Sequence, residues 1–174
     1  FSEDIRNCST VVELLRLRSS RQPNRNAFTF LLNGETAETR LTYLQLDKSA
    51  RQIAFRLQAQ GLTGERALLL YPAGLDFLTA FFGCLYAGVI AVPVYPPRRN
   101  QKLSRLLSIV NDAKPAIALT TTSILTDIEK EWTSDAELAQ LKLLATDTID
   151  NNGEEKEFII SSVTPDSLAF LQYT

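Results

Sequence analysis

Residues 66–97 read RALLLYPAGLDFLTAFFGCLYAGVIAVPVYPP, and this stretch decides the fold. An apolar run at 66–71 is interrupted by a Pro-Ala-Gly turn, and a helix-length run at 75–87 follows. Gly88 stands where a helix C-cap is expected, and a second apolar run occupies 89–94. Neither apolar run alternates with polar residues, which is typical of strands buried within a parallel sheet. The stretch therefore predicts a β–α–β unit.

A transmembrane span is the rival interpretation of the same stretch. Residues 78–94 carry no charge and are almost long enough to cross a bilayer. However, Gly88 and Pro93 interrupt the run, Asp76 would lie near one end, and the residues after Gly88 resemble a strand. The sequence therefore favours the buried β–α–β unit and predicts no membrane span.

Composition excludes several classes of function. A chain of 174 residues with a net charge of -2 fits one ordinary domain and lacks the basic surface of nucleic-acid-binding proteins. It contains no histidine, which excludes Ser-His-Asp and Cys-His catalysis and imidazole metal sites. The two cysteines do not suggest a disulfide framework, and Cys84 is predicted to be a core residue rather than a reactive thiol. No secretory signal precedes the first predicted element, so a cytoplasmic location is expected.

Capping boxes predict three helix starts, at 10–13, 42–45 and 134–137. The first helix is predicted to end before Pro23 and to have one side formed by Val11, Leu14, Leu15 and Arg18. The second helix is predicted to end near Gly61, with an apolar stripe formed by Leu46, Ala50, Ile53, Ala54 and Leu57.

Between these helices, β-rich runs at 27–32 and 35–41 flank the dipeptide Asn33-Gly34. This dipeptide favours the positive φ angles of a two-residue type I′ turn. The sequence therefore predicts an N-terminal β-hairpin.

The second half of the chain alternates helices and strands. The predicted elements are a helix with Leu103, Leu106, Leu107 and Val110, a strand at 116–120, a helix at 123–130, a strand at 141–146, a polar loop at 147–157 and a strand at 167–174. This alternation predicts an α/β fold with a layered, mostly parallel sheet flanked by helices.

Ligands of such folds bind beyond the carboxyl ends of the strands, here near 71–74, 94–97, 120–123 and 173–174. The hydroxyl cluster at 120–123 suits either a phosphate or, more commonly, strand-end and N-cap bonding. A basic patch just after 94–97 consists of Arg98, Arg99, Lys102 and Arg105. Such a patch suits contact with a phosphate or with a carrier protein, but more commonly it is a solvated helix face. Tyr95 either packs against a ligand or fills space in the core or on the surface.

Three segments resemble the N-terminal part of the adenylate-forming superfamily, which includes acyl-CoA synthetases and peptide-synthetase adenylation domains. They are LTYLQLDKSARQIAFRLQAQG at 41–61, GERALLLYPAGLDFLTAFFGCLYAGVIAVPVYPPRR at 64–99 and DSLAFLQYT at 166–174. The double proline at 96–97 and the FLQYT run at 170–174 are similar to one branch, the fatty acyl-AMP ligases. In that superfamily the last segment leads into a phosphate loop.

This resemblance implies an enzyme that uses ATP and Mg²⁺ to convert a fatty acid into an acyl-adenylate. The acyl group then passes to the phosphopantetheine arm of an acyl carrier protein. By the same resemblance, residues 1–174 are the N-terminal part of the large adenylation domain and stop just before the phosphate loop. Such a chain is expected to be inactive without the remainder of its own polypeptide.

Within the chain the resemblance implies one binding residue and no catalytic residue or metal ligand. Thr174 corresponds to the start of the phosphate loop, where its hydroxyl would help hold the triphosphate or the metal-binding glutamate; a structural role at a strand end is the alternative. Alternatives for the whole protein are an acyl-CoA synthetase, an amino-acid adenylation domain and a non-catalytic α/β interaction module.

Overall fold

The computed structural model describes residues 5–32, 34, 36–97, 103–132, 135–149 and 163–173. The elements in chain order are α1 (Val11–Arg21), β1 (Asn26–Leu31), β2 (Glu38–Thr42), α2 (Tyr43–Ala59), β3 (Arg66–Leu70), α3 (Leu75–Ala87), β4 (Ile90–Val94), α4 (Ser104–Ala113), β5 (Ile117–Thr120), α5 (Thr122–Trp132) and β6 (Lys142–Ala145). A short 3₁₀ turn, Leu138–Gln140, precedes β6.

Four parallel strands form the main sheet in the order β4-β3-β5-β6, as the α/β prediction requires. Because side chains alternate across a strand, β3 contributes to two cores. Ala67 and Leu69 face α1, α2 and α3, whereas Leu68 and Leu70 face α4 and α5. All four are essentially inaccessible to solvent, which explains the absence of polar alternation in the sequence.

The predicted β–α–β unit is confirmed. Helix α3 covers Leu75–Ala87, and Gly88 ends it with φ 68° and ψ 29°, in the left-handed conformation that glycine adopts most easily. The next residues enter β4, which pairs in parallel with β3. No helix in the described part of the chain is long and apolar enough to cross a membrane.

Two of the three predicted capping boxes are present. Thr10 and Glu13 cap α1, and Thr42 and Gln45 cap α2, each pair with both reciprocal bonds. At the third position Ser134 lies outside the described residues. There the Asp135 carboxylate accepts hydrogen bonds from the N–H groups at 137 and 138, and a 3₁₀ turn forms.

The predicted core face of α1 is wrong by one residue. Val12 and Leu15 are buried with Ser19, whereas Val11 is 53% exposed. Val11 and Val12 both lie at helical spacing from Leu15, so the short pattern does not distinguish them. The stripe on α2 is confirmed, since its five predicted residues are all buried.

The hairpin is confirmed, but its two-residue turn is wrong. Strands β1 and β2 are antiparallel, with Leu31 opposite Glu38, and the Leu32 N–H donates to the Ala37 carbonyl. A turn of Asn33 and Gly34 alone would instead have placed Leu32 opposite residue 35. The register leaves four residues in the connection, including Gly34 with φ 80°.

The final segment pairs less extensively than a strand. Over 163–173 it forms one parallel bridge, between Phe170 and Ala91 on the free edge of β4. The Ala91 N–H donates to the Ala169 carbonyl, and the Leu171 N–H donates to the Ala91 carbonyl. In a parallel ladder the next donor would be residue 93, which is proline and has no N–H, so the bond to the Leu171 carbonyl cannot form and the described backbone bonds end at Leu171.

Candidate functional site

The strand order defines a switch point between β3 and β5. The connection after β3 runs through α3 on one face of the sheet to β4, and the connection after β5 runs through α5 on the other face to β6, so the chain leaves these two adjacent strands in opposite directions. In open α/β sheets the crevice at such a point is the usual binding site. It is therefore the first candidate, and it contains the predicted positions 71–74 and 120–123.

Hydroxyl groups at the switch point bind one another and the backbone. The Tyr71 hydroxyl lies 2.7 Å from Oγ1 of Thr146, and Thr120 donates to the Leu70 carbonyl at 2.8 Å. All three side chains are buried. Burial raises the pKa of Tyr71 far above its ordinary value of 10.0, so the phenol stays protonated into the alkaline range. These groups join the ends of β3, β5 and β6.

The N-terminus of α5 is capped from β6. The Asp147 carboxylate accepts hydrogen bonds from the backbone N–H of Thr122 at 2.9 and 3.1 Å and from its hydroxyl at 3.0 Å. The Thr121 and Ser123 hydroxyls lie 3.1 Å apart. A carboxylate already occupies the position that an anion would take, so the hydroxyl cluster at 120–123 serves strand-end and cap bonding.

A second carboxylate, Asp76, lies in the first turn of α3. Partial burial and the nearby charge of Asp147 raise its pKa above the ordinary value. No group of three or more acidic or cysteine side chains suited to a metal occurs in the described ranges.

The second candidate is the segment beside β4 that leads to Thr174. One side carries Phe170, whose ring packs edge-to-face on Phe81 of α3 with centroids 5.7 Å apart. The opposite side carries Leu171 and Tyr173, which contact the core beneath α4. The Tyr173 hydroxyl donates to the Asp112 carboxylate at 2.5 Å. This hydrogen bond raises the pKa of Tyr173 above its ordinary value of 10.0.

The remaining predicted site residues lie apart from both candidates or outside the description. Thr174 lies outside the described residues, as do Arg98, Arg99 and Lys102. Arg105 is exposed near the start of α4, and Tyr95 is 80% exposed just after β4. Cys84 is fully buried in α3, and burial raises the pKa of its thiol, as expected of a core cysteine.

At the opposite, amino end of the sheet lies a cavity of about 380 Å³. Its walls are the start of α1, the loops before β3 and β4, and residues 163–169. Among the described residues that line it none is titratable. Its polar side chains are the hydroxyls of serine and threonine residues at 9, 10, 63, 164 and 167.

Sequence reasoning missed two acidic residues of these regions. The sequence places Asp147 at the start of a polar loop, and its position directly after a predicted parallel strand is the signal that could have identified it. Asp112 lies 61 positions before Tyr173 in the sequence, and no local pattern links the two residues. Its role follows only from the packing of α4 on the sheet.

The fold and its edge segment define the class of protein. A parallel α/β sheet with an N-terminal hairpin and a final FLQYT segment is the arrangement predicted for the adenylate-forming superfamily. The profile of the AMP-binding enzyme family matches residues 15–174. The chain therefore belongs to the AMP-binding enzyme family.

Two of the curated relatives of this chain are named as fatty-acid ligases. The chain is 44% identical over 171 residues to the medium-chain-fatty-acid–[acyl-carrier-protein] ligase JamA of Moorena producens (strain JHB), covering 95% of this chain and 28% of JamA. It is 33% identical over 171 residues to the long-chain-fatty-acid–AMP ligase FadD23 of Mycobacterium tuberculosis (strain CDC 1551 / Oshkosh), covering 95% and 29%. The chain thus spans less than a third of their length.

Solved structures agree with this placement. A fatty acyl-adenylate ligase from L. pneumophila, in complex with acyl adenylate and pyrophosphate, superposes with a TM-score of 0.86 at 37% identity. The match covers 99% of this chain and 29% of that structure. The McyG A-PCP structure with phenylalanyl-adenylate, at 22% identity and a TM-score of 0.80, shares the fold.

Proposed function

We propose that this chain is the N-terminal part of the adenylation domain of a fatty acyl-AMP ligase. The whole enzyme would join a fatty acid to ATP, forming acyl-adenylate and pyrophosphate, and would then load an acyl carrier protein through its phosphopantetheine thiol. The 44% identity to JamA over nearly the whole chain is the observation that carries this proposal. By the same proposal the enzyme is cytoplasmic.

The contacts of the described residues support a framework role for residues 1–174, with the metal held by the rest of the polypeptide. The hydroxyls and Asp147 at the switch point are engaged in holding the sheet, whereas the edge segment leads to the first residue of the proposed phosphate loop. Residues 1–174 would supply the framework, and Thr174 would contact the triphosphate or the glutamate that binds Mg²⁺. When bound, Mg²⁺ would stabilise the charge that develops on the phosphates. The rest of the polypeptide would hold the metal.

ATP–pyrophosphate exchange by the full-length protein tests the proposal. Exchange is expected with medium- or long-chain fatty acids and not with amino acids. Product analysis with holo-acyl carrier protein and coenzyme A as competing acceptors then identifies the acceptor. Exchange that depends on amino acids alone would overturn the assignment to fatty acids.

Thr174 has a matched pair of variants. Thr174→Val removes the hydroxyl while keeping the shape, and Thr174→Ser keeps the hydroxyl. If the hydroxyl contacts the triphosphate or the metal-binding group, valine should lower exchange by about 10-fold or more, and serine should retain most of it. Equal activity of both variants would assign Thr174 a structural role.

An acyl-CoA synthetase is the second candidate. The chain is 37% identical over 123 residues to the putative fatty-acid–CoA ligase fadD25 of Mycobacterium tuberculosis. In the competition experiment this candidate predicts acyl-CoA as the main product, whereas the first predicts acyl carrier protein.

A further inference from the structure

The position of the backbone before Thr174 depends on few contacts. The described ladder with β4 consists of the two bonds made by Ala91, and Pro93 has no N–H with which to continue it. Beyond Leu171 the segment is therefore held mainly by its side chains. Tyr173, the last described residue, is held to α4 by its 2.5 Å hydrogen bond to Asp112.

We propose that Asp112 is a positioning residue for ATP binding. By accepting the hydroxyl hydrogen of Tyr173, it fixes the backbone that leads into the triphosphate-binding loop. The inference rests on the proposed function, in which that loop begins at Thr174. Asp112 belongs to no sequence motif and is distant in sequence from Tyr173. It is an exposed residue in the last turn of α4.

Chemistry and geometry agree with this role. A carboxylate is a strong acceptor for a phenol, and hydrogen bonds to charged groups are stronger than those between neutral groups. Phe170 anchors the opposite side of the segment against Phe81, so the chain is held on both faces. Phosphate-binding groups must be placed within a fraction of an ångström, and small misplacements there weaken binding and catalysis.

Kinetics of the full-length enzyme test the proposal. Tyr173→Phe removes the donor, Asp112→Ala removes the acceptor, and Asp112→Asn retains an oxygen that can accept. Ser108→Ala, one turn earlier on α4, is the matched control, because Ser108 donates within its own helix to the Ser104 carbonyl. KM for ATP and for the fatty acid, together with kcat, are measured by pyrophosphate exchange.

Tyr173→Phe and Asp112→Ala should each raise KM for ATP by about 3- to 10-fold, with KM for the fatty acid within about twofold of the parent value. The double variant should have no higher KM for ATP than either single variant, because both substitutions remove the same hydrogen bond. Asp112→Asn, which keeps an acceptor but loses the charge, should lie between the parent and Asp112→Ala, and Ser108→Ala should stay within about twofold of the parent. Unchanged KM for ATP, or equal changes for both substrates, would overturn the positioning role.

Hydrogen exchange separates this inference from the proposed function. In the full-length protein, amide exchange of peptide 168–173 should accelerate by about 3- to 10-fold in Tyr173→Phe and Asp112→Ala and stay unchanged in Ser108→Ala. This readout does not need fatty-acid activation. Acceleration in a protein that lacks such activity would leave the anchoring intact and reject the assigned reaction, whereas parental exchange in both variants would reject the anchoring.

Discussion

The centre of the sheet and its edge beside β4 are held in different ways. At the centre, β3 lies between two strands and two helical layers, and its polar neighbours such as Tyr71 and Thr146 bind one another. At the edge, the segment that ends at Tyr173 has one backbone bridge and the side-chain contacts of Phe170, Leu171 and Tyr173. Burial therefore fixes the framework, and a few specific contacts fix the segment that leads to the proposed loop. Substitutions at the centre should reduce stability, whereas under the proposed function those at the edge should reduce ATP binding by the full-length protein more than stability.

The largest effect on stability is expected at the contact between α2 and α3. A Cβ at Gly83 would lie 2.5 Å from Cγ2 and 2.7 Å from Cβ of Ile53. Rotation of the isoleucine side chain does not move its own Cβ, so Gly83→Ala would force the helices apart. We expect the free energy of unfolding to fall by about 3 kcal/mol, which urea denaturation would measure.

Gly74→Ala is the matched control, because nothing lies within 4 Å of a Cβ there and the backbone is extended. It should cost less than about 1 kcal/mol. Combining Gly83→Ala with Ile53→Ala should cost less than the sum of the single changes, because the clash with Cγ2 disappears. Strict additivity would contradict the proposed steric cause.

The next effect is alkaline destabilisation, which follows from the buried phenols. Burial, the main cause, raises the pKa of Tyr71 and Tyr86 above the ordinary 10.0, and for Tyr86 the hydrogen bond to Asp47 adds to it. Above pH 10 the unfolded chain loses protons that the folded protein retains. Unfolding therefore becomes easier as pH rises, by about 1.4 kcal/mol per pH unit for each phenol.

Urea denaturation at several pH values between 8 and 11 measures this dependence. Below pH 9 these phenols should contribute almost no pH dependence to the free energy of unfolding, which should fall above pH 10. Tyr86→Phe and Tyr71→Phe should each lower stability at pH 8 but reduce the slope above pH 10. An unchanged slope in both variants would show that other groups cause the alkaline loss.

A smaller effect is expected from the cap of α5. Asp147→Ala removes the acceptor of the Thr122 N–H and should cost about 1 kcal/mol, with Asp147→Asn intermediate. Because the charge of Asp147 contributes to the raised pKa of Asp76, either change should also lower that pKa. Carboxyl titration by NMR would detect the shift, and an unaltered Asp76 would argue against the coupling.

Much of the framework was predictable from sequence because local rules act there. The bounds of α3 followed from a Pro-Ala-Gly turn and Gly88, and the starts of α1 and α2 followed from complete capping boxes. The incorrect predictions concern places where two residues fit the same local pattern or where the packing of the whole chain determines the structure. Val11 and Val12 fit one helical pattern equally, and the hairpin register overrode the preference of Asn33-Gly34.

The candidate site was less predictable for a physical reason. Its position near the carboxyl ends of the strands followed from the parallel sheet, and the FLQYT segment marked the edge. The anchor Asp112 was not predictable, since the contact joins a helix to a segment far along the chain. The loss of pairing after Leu171 was readable in principle, because Pro93 has no N–H to donate.

The smallest effect on stability is expected at Phe170, where stability and KM for ATP should respond most differently. Its ring is 44% exposed and contacts Phe81 edge-to-face, so Phe170→Ala should lower the free energy of unfolding by about 1 kcal/mol or less. The contact nevertheless anchors one face of the segment that leads to Thr174. In the full-length enzyme, KM for ATP should therefore rise by about 3-fold or more. Phe28→Ala is the control, since Phe28 is also partly exposed and packs on α3 at Phe82, which separates it from Phe81 by one ring. A similar loss of stability with unchanged KM is expected for Phe28→Ala; the same change in KM for both variants would mean that the edge segment has no special link to ATP binding.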